Sequence, residues 1–125
     1  MKEGVSTRDK IIDAAFSFYR KPVFTHISLS QIAQKVGISK AAIFKHFPRK
    51  ESIRQAMNAR MFDGIAEVVR RMLECYQNGK RIEAMSEAVD FLVNHREYVM
   101  YFQSQQCIVD EGVFVRELRK RSIRV

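Results

Sequence analysis

The chain has 125 residues, enough for one domain or two very small ones with a real hydrophobic core, which excludes a single-helix peptide binder. Its formal net charge of +8 is unevenly placed, since residues 1–60 contain 12 Lys or Arg against 4 Asp or Glu, whereas residues 61–125 contain 10 against 10. Such asymmetry is typical of a nucleic-acid-binding module joined to an electrically neutral module.

Several other classes of protein are not expected. Cys75 and Cys107 are too few for a disulfide framework, and neither has a Cys or His at zinc-ligand spacing. The N-terminus has no apolar signal segment, and no window approaches 18 uncharged apolar residues. No nucleophile with its base and no Gly-rich phosphate loop stands out. We therefore expect a cytoplasmic protein that is not an enzyme, with no cofactor, no metal site and no membrane contact.

The first predicted element is a helix from about Thr7 to Arg20, capped by Ser6 or Thr7 and stopped by Pro22. Apolar residues recur along it at helical spacing and predict a wide buried face, formed by Ile11, Ile12, Ala15, Phe16, Phe18 and Tyr19. This helix is expected to pack against the two that follow.

Two short amphipathic segments follow between residues 28 and 50. Ser28 and Gln31 fit a capping box, so a helix should begin at Leu29, and Gly37 stands where a left-handed C-terminal cap is wanted. One apolar face is predicted for this helix, formed by Leu29, Ile32, Ala33 and Val36.

In the second segment, Ser39 can cap a helix whose buried face is Ile43 and Phe47. The outward residues are then small, basic or aromatic: Lys40, Ala41, Ala42, Phe44 and Lys45. Two short helices joined by a turn containing Gly form the helix-turn-helix pattern, whose second helix enters the major groove of DNA. Helical bundles that contact no nucleic acid can share this periodicity, so spacing alone leaves both interpretations open.

Beyond Pro48 the pattern stays helical. Steps of three and four predict a helix of roughly 27 residues from near Lys50 to Asn78-Gly79, about 40 Å long. An amphipathic helix over residues 80–93 follows, and then a helix capped by Asn94 with Glu97. A break is predicted over residues 104–112, before an apolar stripe of Val113, Phe114 and Leu118. With no strand pattern anywhere, the fold class is all-α.

The stretches SLSQIA (28–33), GIS (37–39) and IFKHFPRKE (43–51) resemble the DNA-binding domain of the tetracycline-repressor (TetR) family. The resemblance implies a three-helix helix-turn-helix domain over residues 1–50, joined by a long helix to a partial helical regulatory domain over residues 51–125. It also implies a transcriptional regulator that binds a pseudo-palindromic operator as a homodimer, as a repressor released by a small apolar inducer. The last pair of helices, with which the family usually dimerises, has no counterpart in the sequence.

The resemblance and the outward face together give the expected DNA contacts: Ser28, Ser39, Lys40, Ala41, Ala42, Phe44, Lys45, His46 and Lys50. Lys40 can donate to guanine acceptors, whereas the two alanines can only approach thymine methyl groups. Phe44 stands where the family usually has a Tyr with its hydroxyl on a phosphate, and Val23 where it usually has Gly. For His46 a packing role is an equal alternative.

Six Met and aromatic residues of the second half are candidates for an inducer cavity: Met61, Met72, Phe91, Tyr98, Tyr101 and Phe102. The competing interpretation is ordinary helix-bundle core, which such stripes usually form. Val113, Phe114 and Leu118, together with exposed parts of the Tyr98–Phe102 helix, are candidates for a dimer interface or, equally, for the monomer's own core. The alternative function is a ligand-binding or heterodimer-forming module that no longer binds DNA by itself.

Overall fold

The computed structural model describes residues 6–19, 28–104 and 111–123. Within these ranges all the regular structure is helical, which confirms the all-α class. The helices are α1 (Thr7–Ser17), α2 (Leu29–Val36), α3 (Lys40–His46), α4 (Lys50–Gln77), α5 (Arg81–Asn94), α6 (Arg96–Ser104) and α7 (Glu111–Lys120).

The chain divides into two compact units, Met1–Asn58 and Ala59–Val125. The division falls within α4, eight residues after the boundary that the sequence predicted, and the assignment of a separate role to each part stays a prediction. The long helix itself is confirmed, with 28 residues. It ends where Asn78-Gly79 predicted, because Gly79 adopts a φ of +76° and the amide of Lys80 donates to the Cys75 carbonyl at 2.8 Å.

Helix α1 is shorter than predicted. Ser6 caps it, with its hydroxyl accepting from the Asp9 amide at 3.1 Å. The helix ends at Ser17 and not at Arg20, because the amide of Tyr19 turns back to the Phe16 carbonyl at 2.9 Å, a tighter three-residue step that closes the last turn.

The core of the first unit is built from the apolar faces of its helices. The buried side chains are Ile11, Ile12, Ala14, Ala15, Phe16, Ile32, Ala33, Ile43, Phe47, Ile53 and Met57. Phe18, Tyr19, Leu29 and Val36, which the periodicity also placed on inner faces, are half-buried. The sequence therefore predicted the inner faces of α1, α2 and α3 largely correctly.

In the second unit, helix α7 packs onto α4. Leu118 and Ile123 form a buried cluster with Ala66, and Phe114 packs against it with its ring 5.9 Å from that of Phe62. Of the two roles open for Val113, Phe114 and Leu118, the structure therefore gives Phe114 and Leu118 the second: they close the core of their own unit. Val113 is half-buried.

In this unit Arg121 links the end of α7 to α4 through hydrogen bonds and ion pairs. Its guanidinium donates to the Asp63 carboxylate at 2.6 Å and to the Glu117 carboxylate at 2.9 Å. It also lies over the Phe62 ring, 5.8 Å from the centroid. Partners 58 residues apart in sequence are joined here, which no local sequence pattern predicts.

Helix α5 carries most of its larger apolar side chains on the side that faces away from its own unit. Five of them are 54–77% exposed, and we call them the α5 stripe: Ile82, Met85, Val89, Leu92 and Val93. The predicted capping box at Asn94 is wrong, because α5 continues through Asn94 and α6 begins only after His95, whose carbonyl accepts from the Tyr98 amide at 2.9 Å.

Some predictions fall on residues outside the described ranges. These are the loop with Val23, most of the break between α6 and α7, and the environment of Cys107. Among the residues that are described, no helix has the length and apolar content needed to cross a membrane.

Candidate nucleic-acid interface

The predicted capping box at the start of α2 is present in full. The Ser28 hydroxyl accepts from the Gln31 amide at 3.1 Å, and the Gln31 side chain accepts from the Ser28 amide at 2.8 Å. Two amides that the helix itself leaves without partners are thereby satisfied. Ser28 is half-buried, so part of its surface remains accessible at the N-terminus of α2.

Gly37 makes the turn between α2 and α3. Its φ of +87° is a left-handed conformation that favours glycine. The amides of Gly37 and Ile38 both donate to the Ala33 carbonyl, at 2.8 and 3.1 Å. Ser39 then starts α3, with its hydroxyl accepting from the Ala42 amide at 3.0 Å. Local chemistry thus fixes the short turn that a helix-turn-helix requires.

Helix α3 is held from behind by two side chains. Ile43 is 0% exposed and Phe47 is 1% exposed, as the sequence predicted. The guanidinium of Arg8 lies 4.8 Å above the Phe47 ring, so α1 also covers the end of α3. These contacts set which side of α3 faces outward.

The outward side of α3 matches the predicted reading face. Phe44 is 43% exposed, and four further residues of the predicted contact set are exposed on the same helix: Lys40, Ala41, Lys45 and His46. Ala42 is half-buried, so its methyl group contributes less surface than predicted. The nine predicted residues lie on α3, at its N-cap and at the starts of α2 and α4, while their contacts with DNA stay predictions.

The charge on this segment is of one sign. Residues 28–50 contain five Lys or Arg and no Asp or Glu. The first acidic residue after them, Glu51, is paired with Arg54 at 2.7 Å. Lys50 and Arg49 are exposed at the start of α4. A basic surface without interspersed carboxylates attracts the phosphate backbone and steers its approach.

The six predicted inducer contacts differ in how accessible they are. Met61 and Tyr101 are 0% and 1% exposed, and a ligand would reach them only if the core opened. Phe102 stacks edge-on against Phe114 at 6.4 Å, and Met72 is half-buried. Their role as ligand contacts stays a prediction, beside the alternative of ordinary core.

Phe91 and Tyr98, the remaining pair, form a three-ring cluster with His95, a residue to which the sequence analysis gave no role. The His95 ring stacks on Phe91 at 4.5 Å and on Tyr98 at 5.1 Å. The spacing of Phe91, His95 and Tyr98, first four and then three residues, is the sequence signal that could have predicted this contact. Gly64 makes room for it, since a Cβ atom there would lie 3.3 Å from the Tyr98 ring.

Comparison with known proteins agrees with this geometry. The profile of the bacterial regulatory proteins of the tetR family matches residues 11–57, which span the α1 body, the turn and the start of α4. Over residues 11–57 the chain matches the TetR family. Every residue of the predicted DNA-contact set lies within the matched segment.

Three curated relatives illustrate the similarity. The nucleoid occlusion factor SlmA of Shewanella amazonensis is 32% identical over 54% of the chain and 30% of its own length. The transcriptional regulator SrpR of Pseudomonas putida is 37% identical over 46% of the chain and 27% of its own length. The negative transcriptional regulator of the biofilm operon icaADBC, IcaR of Staphylococcus aureus, is 28% identical over 77% of the chain and 52% of its own length.

The chain therefore spans between 27% and 52% of the length of these relatives. No solved structure matches it at a significant level. The segment that the family profile matches, residues 11–57, lies in the first unit, as the candidate interface does.

Proposed function

We propose that the chain is a sequence-specific DNA-binding transcriptional regulator whose α3 enters the major groove. The observation that carries the proposal is the division of α3 into a back that is fully buried, at Ile43 and Phe47, and a front of exposed Lys, Ala and Phe. A helix anchored in this way presents a fixed set of side chains to base edges.

The proposed contacts fall into two classes. Lys40, at the first turn of α3, reads a base through guanine acceptors, whereas Ala41 and Ala42 contribute only close approach or contact with a thymine methyl group. Ser28, Ser39, His46 and Lys50 lie around this face and position the phosphate backbone, which carries no sequence information directly. Lys45 reaches either a base edge or a phosphate.

We further propose that the regulator represses transcription and binds a pseudo-palindromic operator as a homodimer. The relative IcaR is named a negative transcriptional regulator, which supports repression. A single α3 with two alanines at its reading edge selects poorly among the ~10⁶ or more competing sites of a genome, so two half-sites are required.

The test is a pair of lysine variants measured by fluorescence anisotropy on operator and random DNA over a salt series. Lys50→Ala is expected to weaken binding to both DNAs alike and to reduce the log-log salt slope by about 0.9 per lost phosphate contact. Lys40→Ala is expected to relax preference at one base pair, by about 1 to 3 kcal/mol.

Lys80→Ala is the matched control, because Lys80 is an exposed lysine of the second unit and its loss changes the net charge equally. Equal losses for the Lys40 and Lys80 variants on both DNAs would show that Lys40 reads no base. A wild-type chain that retards no genomic fragment, even at low salt, would favour the module that has lost DNA binding.

Release by a small apolar inducer completes the proposal. It is supported by the neighbouring rings of Phe91 and Tyr98, whose centroids lie 6.1 Å apart and which are only half-buried and therefore reachable from solvent. Apolar aromatic compounds added to the operator complex are expected to release wild-type protein but not Phe91→Ala. Leu73→Ala, which truncates an exposed side chain elsewhere in the same unit, is the control and should respond as the wild type does.

A further inference from the structure

Arg8 occupies a position on the inner face of α1. It lies four residues before Ile12 and seven before Ala15, which are 1% and 2% exposed in the core of the first unit. At 3.6 residues per turn the three positions fall within about 60° of one another around the helix. The Arg8 side chain is therefore directed toward the elements against which α1 packs, and its exposed part lies at their edge.

The Phe47 ring holds the Arg8 guanidinium in place. The central carbon of the guanidinium lies 4.8 Å from the ring centroid, and the ring belongs to a side chain that is only 1% exposed, whereas Arg8 itself is exposed. An aromatic face attracts a guanidinium electrostatically and leaves the N–H donors in the guanidinium plane available to other acceptors. Phe47 thus fixes where the charge stands without neutralising it.

The carboxylates of α1 lie on another side of the helix from Arg8. Asp9 and Asp13 follow it by one and five residues, which places them about 100° and 140° around the helix. Ser6, whose hydroxyl accepts from the Asp9 amide, lies on the same far side. Within the described part of the chain, the guanidinium contacts the Phe47 ring and forms no ion pair. The charge of Arg8 is therefore open to an anion from outside the chain.

Phe47 stands at the junction of α3 and α4, between two of the proposed phosphate contacts. His46 precedes it directly, and Lys50 begins α4 three residues later, at most about 10 Å away along the chain. Both of these residues are exposed, and so is Arg49 between them. Arg8 therefore adds a cation from α1 to a place where α3 and α4 already present basic side chains.

The DNA backbone is the anion that fits this arrangement. Phosphates follow one another about every 3.4 Å of axis along each strand, so cations gathered around one ring meet a single phosphate or its immediate neighbours. A guanidinium binds phosphate oxygens with two parallel N–H bonds, a geometry that the ammonium group of lysine does not offer. The junction also borders the exposed front of α3, which is the part of the chain proposed to face the groove.

We propose that Arg8, held by Phe47, binds a phosphate of the DNA backbone beside the one that Lys50 contacts. The inference rests on the proposed function and deepens it, because it adds a contact from α1 that lies ahead of the segment matched by the family profile, residues 11–57. A backbone contact carries no sequence information, so Arg8 strengthens binding to every DNA sequence alike. The competing interpretation is that Arg8 only covers the Phe47 ring.

The experiment is fluorescence anisotropy of the full chain on a short random-sequence duplex over a salt series. Arg8→Gln removes the charge and is expected to reduce the log-log salt slope by about 0.9, the value of one phosphate contact. At low salt it should weaken binding by about tenfold or more, the loss typical of a hydrogen bond to a charged group. Arg8→Lys keeps the charge and should keep the wild-type slope, with an affinity between those of the wild type and Arg8→Gln.

Lys10→Gln is the matched control. Lys10 is exposed on the same helix, about 160° around it from Arg8, and its variant loses the same charge, so the slope should stay that of the wild type. Urea unfolding measures separately how much Arg8 stabilises the fold by covering Phe47, and binding is measured where every variant is folded. A residue that only covers the ring would change the free energy of unfolding and leave the salt slope as it is.

An Arg8→Gln variant with the wild-type slope overturns the inference, and so does an Arg8→Lys variant that loses the slope as Arg8→Gln does. Neither result affects the proposed function if Lys50→Ala still reduces the slope and Lys40→Ala still relaxes base preference. A chain whose binding depends on Arg8 but prefers no DNA sequence keeps the phosphate contact and refutes the sequence-specific regulator. A wild-type chain that binds no duplex, even at low salt, refutes both.

Discussion

Ser28 is expected to serve both the fold and DNA binding, and two substitutions separate these roles. Ser28→Ala removes the hydroxyl that accepts from the Gln31 amide at 3.1 Å, while the reciprocal bond from the Ser28 amide to the Gln31 side chain can persist. Loss of an N-cap acceptor costs about 1 kcal/mol of stability. Ser28→Asp keeps an acceptor at the cap, so its free energy of unfolding should stay close to that of the wild type.

The order of the two variants should reverse when their affinity for DNA is measured. A carboxylate placed about 4 Å from a phosphate is repelled by roughly 1 to 4 kcal/mol, depending on the local dielectric. Ser28→Asp also lacks the hydroxyl donor, so this repulsion should make it bind at least about fivefold more weakly than Ser28→Ala, although it is as stable as the wild type. Ser28→Ala should lose stability while its affinity, measured where it is fully folded, falls by only about 1 kcal/mol.

Ser6→Asp is the control for the added charge. Ser6 caps α1 with the same 3.1 Å geometry in the same unit, and it lies outside the proposed contact set. Urea unfolding followed by circular dichroism gives the stabilities, and fluorescence anisotropy on operator DNA gives the affinities. If Ser28→Asp and Ser6→Asp weaken binding equally, Ser28 does not lie beside a phosphate and the placement of the interface at the start of α2 is refuted.

Three further outcomes follow from individual contacts. Phe44→Tyr should tighten operator binding by about 1 kcal/mol, because it supplies a hydroxyl to a side chain that is already 43% exposed; an unchanged dissociation constant would show that the ring edge faces no phosphate. Gly37→Ala should lower the free energy of unfolding, measured in urea, by about 1 kcal/mol. The cost arises from its φ of +87° alone, since a Cβ atom there meets nothing within 4 Å. Gly79→Ala, with a φ of +76°, should cost about the same. Partial burial acts to raise the pKa of the Glu117 carboxyl, but hydrogen bonds from Arg121 and Lys120 outweigh it and hold that pKa below its ordinary value of 4.5. The contribution of Glu117 to stability should be present above about pH 4.5 and be lost as the pH falls through the folded-state pKa, so Glu117→Gln should show a flatter acid limb in thermal unfolding; an identical limb would contradict the pairing.

The sequence by itself determined the features whose partners lie within a few residues. The capping box of Ser28, the cap at Ser39 and the left-handed turn at Gly37 all depend on hydrogen bonds over three to five residues, so residue type and spacing were enough to predict them. The inner face of α3 followed from the four-residue step between Ile43 and Phe47. The candidate interface is built almost entirely from such local features, which is why it could be predicted.

Only the tertiary structure decided which apolar faces are covered. Periodicity assigned an apolar face to α5 and another to α7 in the same way, yet Leu118 is 3% exposed and Ile82 is 77% exposed. The difference arises because α7 is fastened to α4 by the contacts of Arg121 with Asp63, 58 residues earlier, whereas no described element packs against the outer side of α5. Hydrophobic periodicity states that a face can be buried; the partner that buries it is set by contacts distant in the chain.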